Sequence, residues 1–304
     1  VEMTNADEVN VEDDVTVTAA GGDIKINDTI GEIDLEPDGG TVTFTTTGGT
    51  GNISLASIND TGSDTHLVIL ADTGTTSGAI DVLDIGGVNP VESVQIRTLS
   101  GGDGVINVDA ITVNGSVTTG GDDVGILLEE TNTPADDEAG FDVTDVAEQG
   151  IIIDGALTSD DGSIYIITDG DLVVDQDMTV TGGVLQFGDG LLNDLTSSDD
   201  QSVGDIHFDG SAVIAPAKVT IESTDGDVIV ISGGDVEMNA AGFEMVAGFP
   251  GDGGNVLIDP INFTNNGSSI LAGGNIIVEA NDHVTFNGNE IAVDDIIVRG
   301  DSNA

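Results

Sequence analysis

The sequence predicts an all-β chain wound as a parallel β-helix, or β-solenoid, with laps of about 20 residues, and three observations carry that prediction. A short phrase recurs: glycine, a small polar or acidic residue, an aliphatic, any residue, an apolar residue. It stands at Gly226-Asp227-Val228-Ile229-Val230, Gly234-Asp235-Val236-Glu237-Met238, Gly254-Asn255-Val256-Leu257-Ile258 and Gly274-Asn275-Ile276-Ile277-Val278, with successive starts 8, 20 and 20 residues apart. Within the phrase, apolar residues alternate with period 2, the pattern of a strand with one face turned inward. Third, no segment carries the 3.6-residue periodicity of an amphipathic helix. Units this small cannot bury their own apolar faces and must stack on copies of themselves.

The elements follow in chain order. Val9, Val11, Val15 and Val17 alternate with polar residues, so the N-terminal stretch reads as strand. The phrase then stands at Gly22-Asp23-Ile24-Lys25-Ile26, Gly31-Glu32-Ile33-Asp34-Leu35 and Gly51-Asn52-Ile53-Ser54-Leu55, and the threonine-rich run 41–47 is a strand between the last two. Leu67–Leu70, Ala79–Ile85 and Val91–Leu99 are further strands, parted by polar loops and by the Asn89-Pro90 turn. An irregular excursion over about 129–150 marks a boundary between two halves of one elongated unit, 1–304; a second loop covers 188–204. Regular phrases resume at Gly162, Gly170 and Gly204. Gly, Asn, Asp and Ser around each strand supply the φ > 0 and side-chain-capped conformations of tight corners. Laps of about 20 to 25 residues give roughly 12 to 15 laps and a rod on the order of 60 to 70 Å long.

Composition narrows the function. Eight Phe, one Tyr and no Trp leave a narrow core of Ile, Val, Leu and Ala. Asp and Glu number 57 against four cations, Lys25, Lys218, Arg97 and Arg299, for a net charge of −53. Four scattered cations cannot form a basic patch, which excludes nucleic acid and anionic membrane as electrostatic partners. The abundant, patterned aliphatics exclude an acidic disordered chain. Cysteine is absent, so there is no disulfide framework and no thiolate chemistry. No apolar run approaches the length of a membrane span, and the chain, starting at Val1, reads as a mature soluble protein.

The run Ser269-Ile270-Leu271-Ala272-Gly273-Gly274-Asn275-Ile276-Ile277-Val278 resembles the repeats of filamentous-haemagglutinin-like secreted right-handed β-helix proteins. The resemblance implies a β-solenoid and a life outside the cell. The N-terminal secretion signatures of that family are not evident in this chain.

Candidate sites are few. Stacked laps set like positions about 4.8 Å apart, so the oxygens of Asp227, Asp235, Asn255 and Asn275 are calcium candidates, with an amide ladder of Asn255 and Asn275 as the structural alternative. No cofactor beyond calcium is implied. Sequons stand at Asn27, Asn52, Asn59, Asn114, Asn262 and Asn266. The carboxylate pairs Asp122-Asp123, Glu129-Glu130, Asp136-Asp137, Asp160-Asp161, Asp199-Asp200 and Asp294-Asp295 read as solvated surface, as chance supplies such pairs among 57 acids. Polysaccharide lyases of this architecture need Arg or Lys as base and charge neutraliser, which four cations do not provide. His207 reads as an outward surface residue, and His66 and His283 have no neighbouring ligands for a transition metal.

The reading is therefore a non-enzymatic, extracellular or cell-surface protein, halophilic in composition, whose copies join head to tail into a fibre. A glycan-binding adhesin or stalk segment and a β-helix polysaccharide-degrading enzyme are the alternatives.

Overall fold

The computed structural model describes residues 2–3, 9–26, 32–37, 39–48, 51–62, 64–72, 78–99, 105–119, 122–130, 151–168, 172–174, 176–181, 183–188, 206–209, 219–223, 227–231, 236–239, 243–247, 254–260, 262–280 and 283–300. Among them every regular element is a strand. The chain visits three faces in fixed order and returns. Ile24–Ile26, Ile33–Leu35 and Thr41–Thr47 make one round, and Ile53–Leu55, Ile58–Asp60 and His66–Asp72 the next. Each strand pairs in parallel with its counterpart one round on, as Ile24 does with Ile53, Ile33 with Ile58 and Val42 with Leu67.

The longest sheet holds twelve strands. One of them, Val117–Thr119, pairs antiparallel to Asp122–Glu130, and the other eleven run in parallel from Val15–Ala20 to Ile296–Gly300, one per round. A six-stranded sheet from Glu2–Met3 to Ile151–Ile153, followed by a five-stranded one from Leu172–Val174 to His283–Phe286, supplies another strand of each round. The remaining strands form a three-stranded and a seven-stranded sheet, linked through the bridges of Ile85 to Ile58 and Ile111.

The alternation within each strand fixes what lies between the sheets. Along the long sheet one inward row runs Val15, Val42, Leu67, Val94, Ile126, Ile164, Leu185, Val228, Val256, Ile276, Ile296. Two residues further along each strand a second row runs Val17, Phe44, Ile69, Ile96, Leu128, Ile166, Phe187, Val230, Ile258, Val278, Val298. Neither row contains a polar residue. From Val42 to Ile276 and from Phe44 to Val278 every member is buried, and most are β-branched or aromatic side chains, which fit the pleated surface they lie on.

The rounds are longer than the repeating phrase suggests. Row partners lie 27, 25, 27, 32, 38, 21, 43, 28, 20 and 20 residues apart from Val15 to Ile296. A lap of about 20 residues therefore holds for three of the ten steps, from Ile164 to Leu185 and over the last two, and among the described residues eleven rounds stand where 12 to 15 were expected. The phrases at Gly226 and Gly234 are not stacked copies: Val228 pairs with Val256 on the long sheet, whereas Val236 pairs with Phe263 on another face. The 8- and 20-residue spacings add up to the single step of 28.

Two expectations about corners also change. Glu129 and Glu130 do not open a polar excursion; they end the strand Asp122–Glu130 and are buried. Residues 131–150 and 189–204 of the two expected loops lie outside the described residues. The glycines that open the phrase serve close approach in place of unusual dihedrals. Gly21 has φ 70°, but Gly22 and Gly51 take ordinary values; a Cβ on Gly51 would run into the Gly22 carbonyl, and one on Gly78 into the Gly51 carbonyl.

Truncation of a row should be costly. Phe44→Ala, between Val17 and Ile69, is expected to destabilise the protein by about 3–5 kcal/mol, read as a lower urea midpoint by circular dichroism.

Candidate functional site

The residue just before each member of the first inward row stands at a corner or at the start of a strand, and several of these residues stack as well. In the last four rounds they are Asp227, Asn255, Asn275 and Asp295, and they form a ladder. Asp227 Oδ1 accepts from the Asn255 backbone N–H at 2.7 Å and from its Nδ2 at 3.0 Å. Asn255 Oδ1 accepts the same pair from Asn275, at 2.9 and 3.1 Å, and Asn275 Oδ1 accepts the Asp295 N–H at 3.2 Å. Each side chain thereby satisfies a backbone donor that the turn leaves outside the sheet. The same device recurs upstream: Ser163 Oγ accepts the Val184 N–H, Asp14 Oδ1 the Thr41 N–H, and His66 Nδ1 meets Ser93 Oγ at 2.9 Å. On the neighbouring face Asp23 Oδ1 accepts the Asn52 N–H and Asn52 Oδ1 the Ala79 N–H.

Three of the four calcium candidates, Asp227, Asn255 and Asn275, thus come together as the amide ladder, with each Oδ1 engaged by a nitrogen donor. Asp235 lies outside the described residues. Among the described residues no group of three or more His, Cys, Asp or Glu side chains could hold a metal ion. Of the sequons, Asn52, Asn114 and Asn266 are exposed and Asn262 is half-buried, with its Oδ1 accepting the His283 N–H. Asn59 is 2% exposed, and its Oδ1 accepts from the Val88 and Asn89 backbones, so a glycan there would displace both bonds. Asn27 lies outside the described residues.

The carboxylate pairs divide. Asp160, Asp161, Asp294, Asp295 and Asp123 are exposed. Glu129 and Glu130 are instead 1% and 0% exposed, against the solvated reading. Glu129 Oε2 meets Arg97 Nε at 2.5 Å on the outer side of the long sheet, in line with the pairing of their strands. Glu130 points inward in line with Thr98 and Thr168, and its Oε2 accepts from Thr168 Oγ1 at 2.9 Å. The signal was present: Glu130 continues the alternation of Ile126 and Leu128. Asp136, Asp137, Asp199 and Asp200 lie outside the described residues, as does the side chain of His207. The long sheet also has a buried outer patch, Leu127, Tyr165, Ile167, Gln186 and Ile229.

Crowding shifts several carboxyls. Burial, then Asp84, Asp154 and Asp81, pushes Asp109 above the ordinary carboxylate range. Burial raises Asp259, with Glu279 adding to it, and raises Glu290 despite a bond from Asn265. Asp23 moves the other way, because the Asn52 N–H and then Lys25 favour its charged form.

The remaining feature is the last round. Ile296 and Val298 end the two inward rows and are 48% and 47% exposed, whereas Ile276 and Val278 one round earlier are 0% exposed. Val284, Phe286 and Ala292 on the other two faces are only partly buried. At the opposite edge Val9, Val15 and Val17 are likewise partly buried. Strand edges carry unpaired backbone donors and acceptors. Among the described residues, the inward apolar positions are therefore less covered in the first and last strands of the long sheet than in those between.

Three variants check the ladder and the crowding. Asn255→Ala removes the acceptor for Asn275 and is expected to cost about 1–3 kcal/mol. Asn255→Asp keeps the acceptor but places a carboxylate on Asp227, so its deficit in urea unfolding should shrink between low salt and 1 M NaCl, where the screening length falls to about 3 Å. A raised folded pKa means that Asp109 subtracts stability as pH climbs from its unfolded value through the folded one. Asp109→Asn should therefore raise Tm at pH 7 and leave it unchanged near pH 3. No protein-family model, curated protein or solved structure matches the chain, so its functional reading rests on the geometry above.

Proposed function

We propose that the protein is a parallel β-solenoid that serves, without catalysis, as a subunit of an extracellular or cell-surface fibre built by head-to-tail stacking of copies. The carrying observation is the exposure of the inward rows at Ile296 and Val298, whose partners Ile276 and Val278 are fully buried. Three strands per round visited in cyclic order, with parallel partners throughout the long path, support the solenoid. The resemblance of 269–278 to filamentous-haemagglutinin-like repeats agrees with it. Eleven rounds at about 4.8 Å make a rod of about 50 Å.

Charge gives the assembly its direction. The chain carries a net charge of −53, so side-by-side contact of two rods brings carboxylates together, whereas among the described residues the inward apolar rows are exposed in the end strands. A head-to-tail contact is heterologous and need not close, which is the route to a filament. Repulsion between unit charges in water is about 1 kcal/mol per pair at 4 Å and is strongly screened in concentrated salt. Association is therefore favoured by salt, and divalent cations, calcium included, act as screening counter-ions. A salty habitat suits such a surface.

Electron microscopy of the protein in 2 M NaCl should reveal filaments one rod wide; uniformly short, isolated rods would overturn the reading. Val298→Glu alters a side chain that is already half exposed, so circular dichroism should be unchanged while filament length falls at least tenfold.

A further inference from the structure

Three asparagines in the chain are followed by glycine: Asn114-Gly115, Asn266-Gly267 and Asn287-Gly288. A glycine in that place has no side chain to keep its backbone nitrogen away from the asparagine side-chain carbonyl, so at these pairs an amide can be lost through a five-membered ring. The ring closes only where the glycine N–H is released and the peptide joining the two residues has room to turn. A backbone N–H held in the ladder must first be freed by local opening.

The fold treats the three pairs differently. Gly115 is buried, and its N–H donates to the Glu92 carbonyl at 3.1 Å while the Asn114 N–H donates to Val91 at 3.0 Å. Two successive donors thus tie that pair to the round before, and a Cβ on Gly115 would run into the Glu92 carboxyl. Gly288 lies against the Ser268 carbonyl and the Asn265 amide, which a Cβ there would strike, and the residues on either side of it, Asn287 and Asn289, donate to the Asn265 and Ser268 carbonyls at 2.8 and 3.1 Å. Gly267 has φ 115° and open space where a Cβ would stand. Its N–H is held by a side chain, Asn265 Oδ1 at 3.2 Å, and that oxygen has a shorter bond of 2.9 Å from the Ser268 N–H. Release of the Gly267 N–H therefore leaves Asn265 Oδ1 satisfied. Asn266 is exposed and is the last residue of the strand Asn262–Asn266.

We infer that Asn266 is a site of spontaneous covalent modification, where the side-chain amide is lost to give aspartate or its β-linked isomer, and that the fold shields the other two pairs. The Gly267 nitrogen bonds to Asn266 Cγ and gives up its proton. The Cγ–Nδ2 bond breaks, and the amide nitrogen leaves as ammonia with that proton. Water then adds across one of the two carbonyl C–N bonds of the ring: opening at Cγ leaves aspartate, and opening at the main-chain carbon leaves a backbone one atom longer. Either product adds a negative charge to a chain that already carries −53. The longer isomer also shifts the Gly267 and Ser268 N–H groups away from Asn265, a fully buried residue that holds this corner. No contact between copies is required.

The wild-type protein tests this directly. Folded protein and protein unfolded in urea are held side by side near pH 8 and digested with pepsin in acid, where the ring reaction is slow, and the mass change from amide to acid is read at all three asparagines. In urea the three pairs should convert at similar rates. In the folded protein, Asn114 and Asn287 should convert about tenfold or more slowly than Asn266, because their N–H groups and neighbours must open first. Conversion at Asn114 or Asn287 as fast as at Asn266 in the folded protein overturns the assignment, and so does an Asn266 that converts in urea but not when folded.

Discussion

In-register stacking of aliphatic side chains along the long sheet is the constraint on which the other features depend. Each inward Val, Ile, Leu or Phe is buried only because its partners one round before and after cover it, and full burial of such a side chain is worth about 1.5–3 kcal/mol. The parallel hydrogen bonding between strands is orderly because those rows fix the register, and a slip of one residue would turn each row to the outside. Variation in round length from 20 to 43 residues leaves both rows in register. This is the tolerance expected when each round contacts only its neighbours.

Stacking a strongly acidic chain also sets like residues above one another, and the corners reveal how the repulsion is limited. In the ladder the two middle rungs are the neutral Asn255 and Asn275. Asp227 and Asp295 are thereby three steps apart, about 14 Å, beyond the screening length of about 8 Å at physiological salt. An aspartate at every rung would supply the same acceptors but would place charges at about 4.8 Å intervals. Where acids do crowd, as Asp109 does with Asp84, Asp154 and Asp81, the carboxyl is displaced from its ordinary range. Of the described cations, Arg97 is held by the buried Glu129, Lys25 by Asp23 at 3.2 Å, and Arg299 by Glu279, so they pair locally and add no basic surface.

The strand alternation and the Gly-polar-aliphatic phrase were enough to read an all-β chain of parallel, stacked strands. They were not enough to read the number of residues in a round. The phrase marks any corner, so Gly226 and Gly234, on different faces, look alike in sequence; only pairing of Val228 with Val256 and Val236 with Phe263 separates them. Among the calcium candidates, the common column of Asp227, Asn255 and Asn275 was legible, and the amide ladder was the structural alternative to a metal. Glu130 was not legible because composition outweighed periodicity: an Asp- and Glu-rich stretch beginning at Glu129 reads as surface, although position 130 falls on the inward side of a strand whose next inward neighbour is Thr168. The outer patch of Leu127, Tyr165 and Ile167 was hidden for a related reason, since a strand buried on both sides loses the alternation that identifies one-sided burial.

The two tips differ from the flanks in a way that follows from the same rows. A side chain at an inward position has no polar alternative to offer when its cover is missing, because that position was filled for burial; Ile296 and Val298 therefore expose apolar area that Ile276 and Val278 do not. A glutamate at Glu290 is the exception in the last round, and its inward place, bonded to Asn265 Nδ2 at 2.9 Å, raises its proton affinity through loss of water. Covering the tip would remove more water from that carboxyl. If copies stack as proposed, axial contact and proton uptake by Glu290 are thermodynamically linked, each favouring the other.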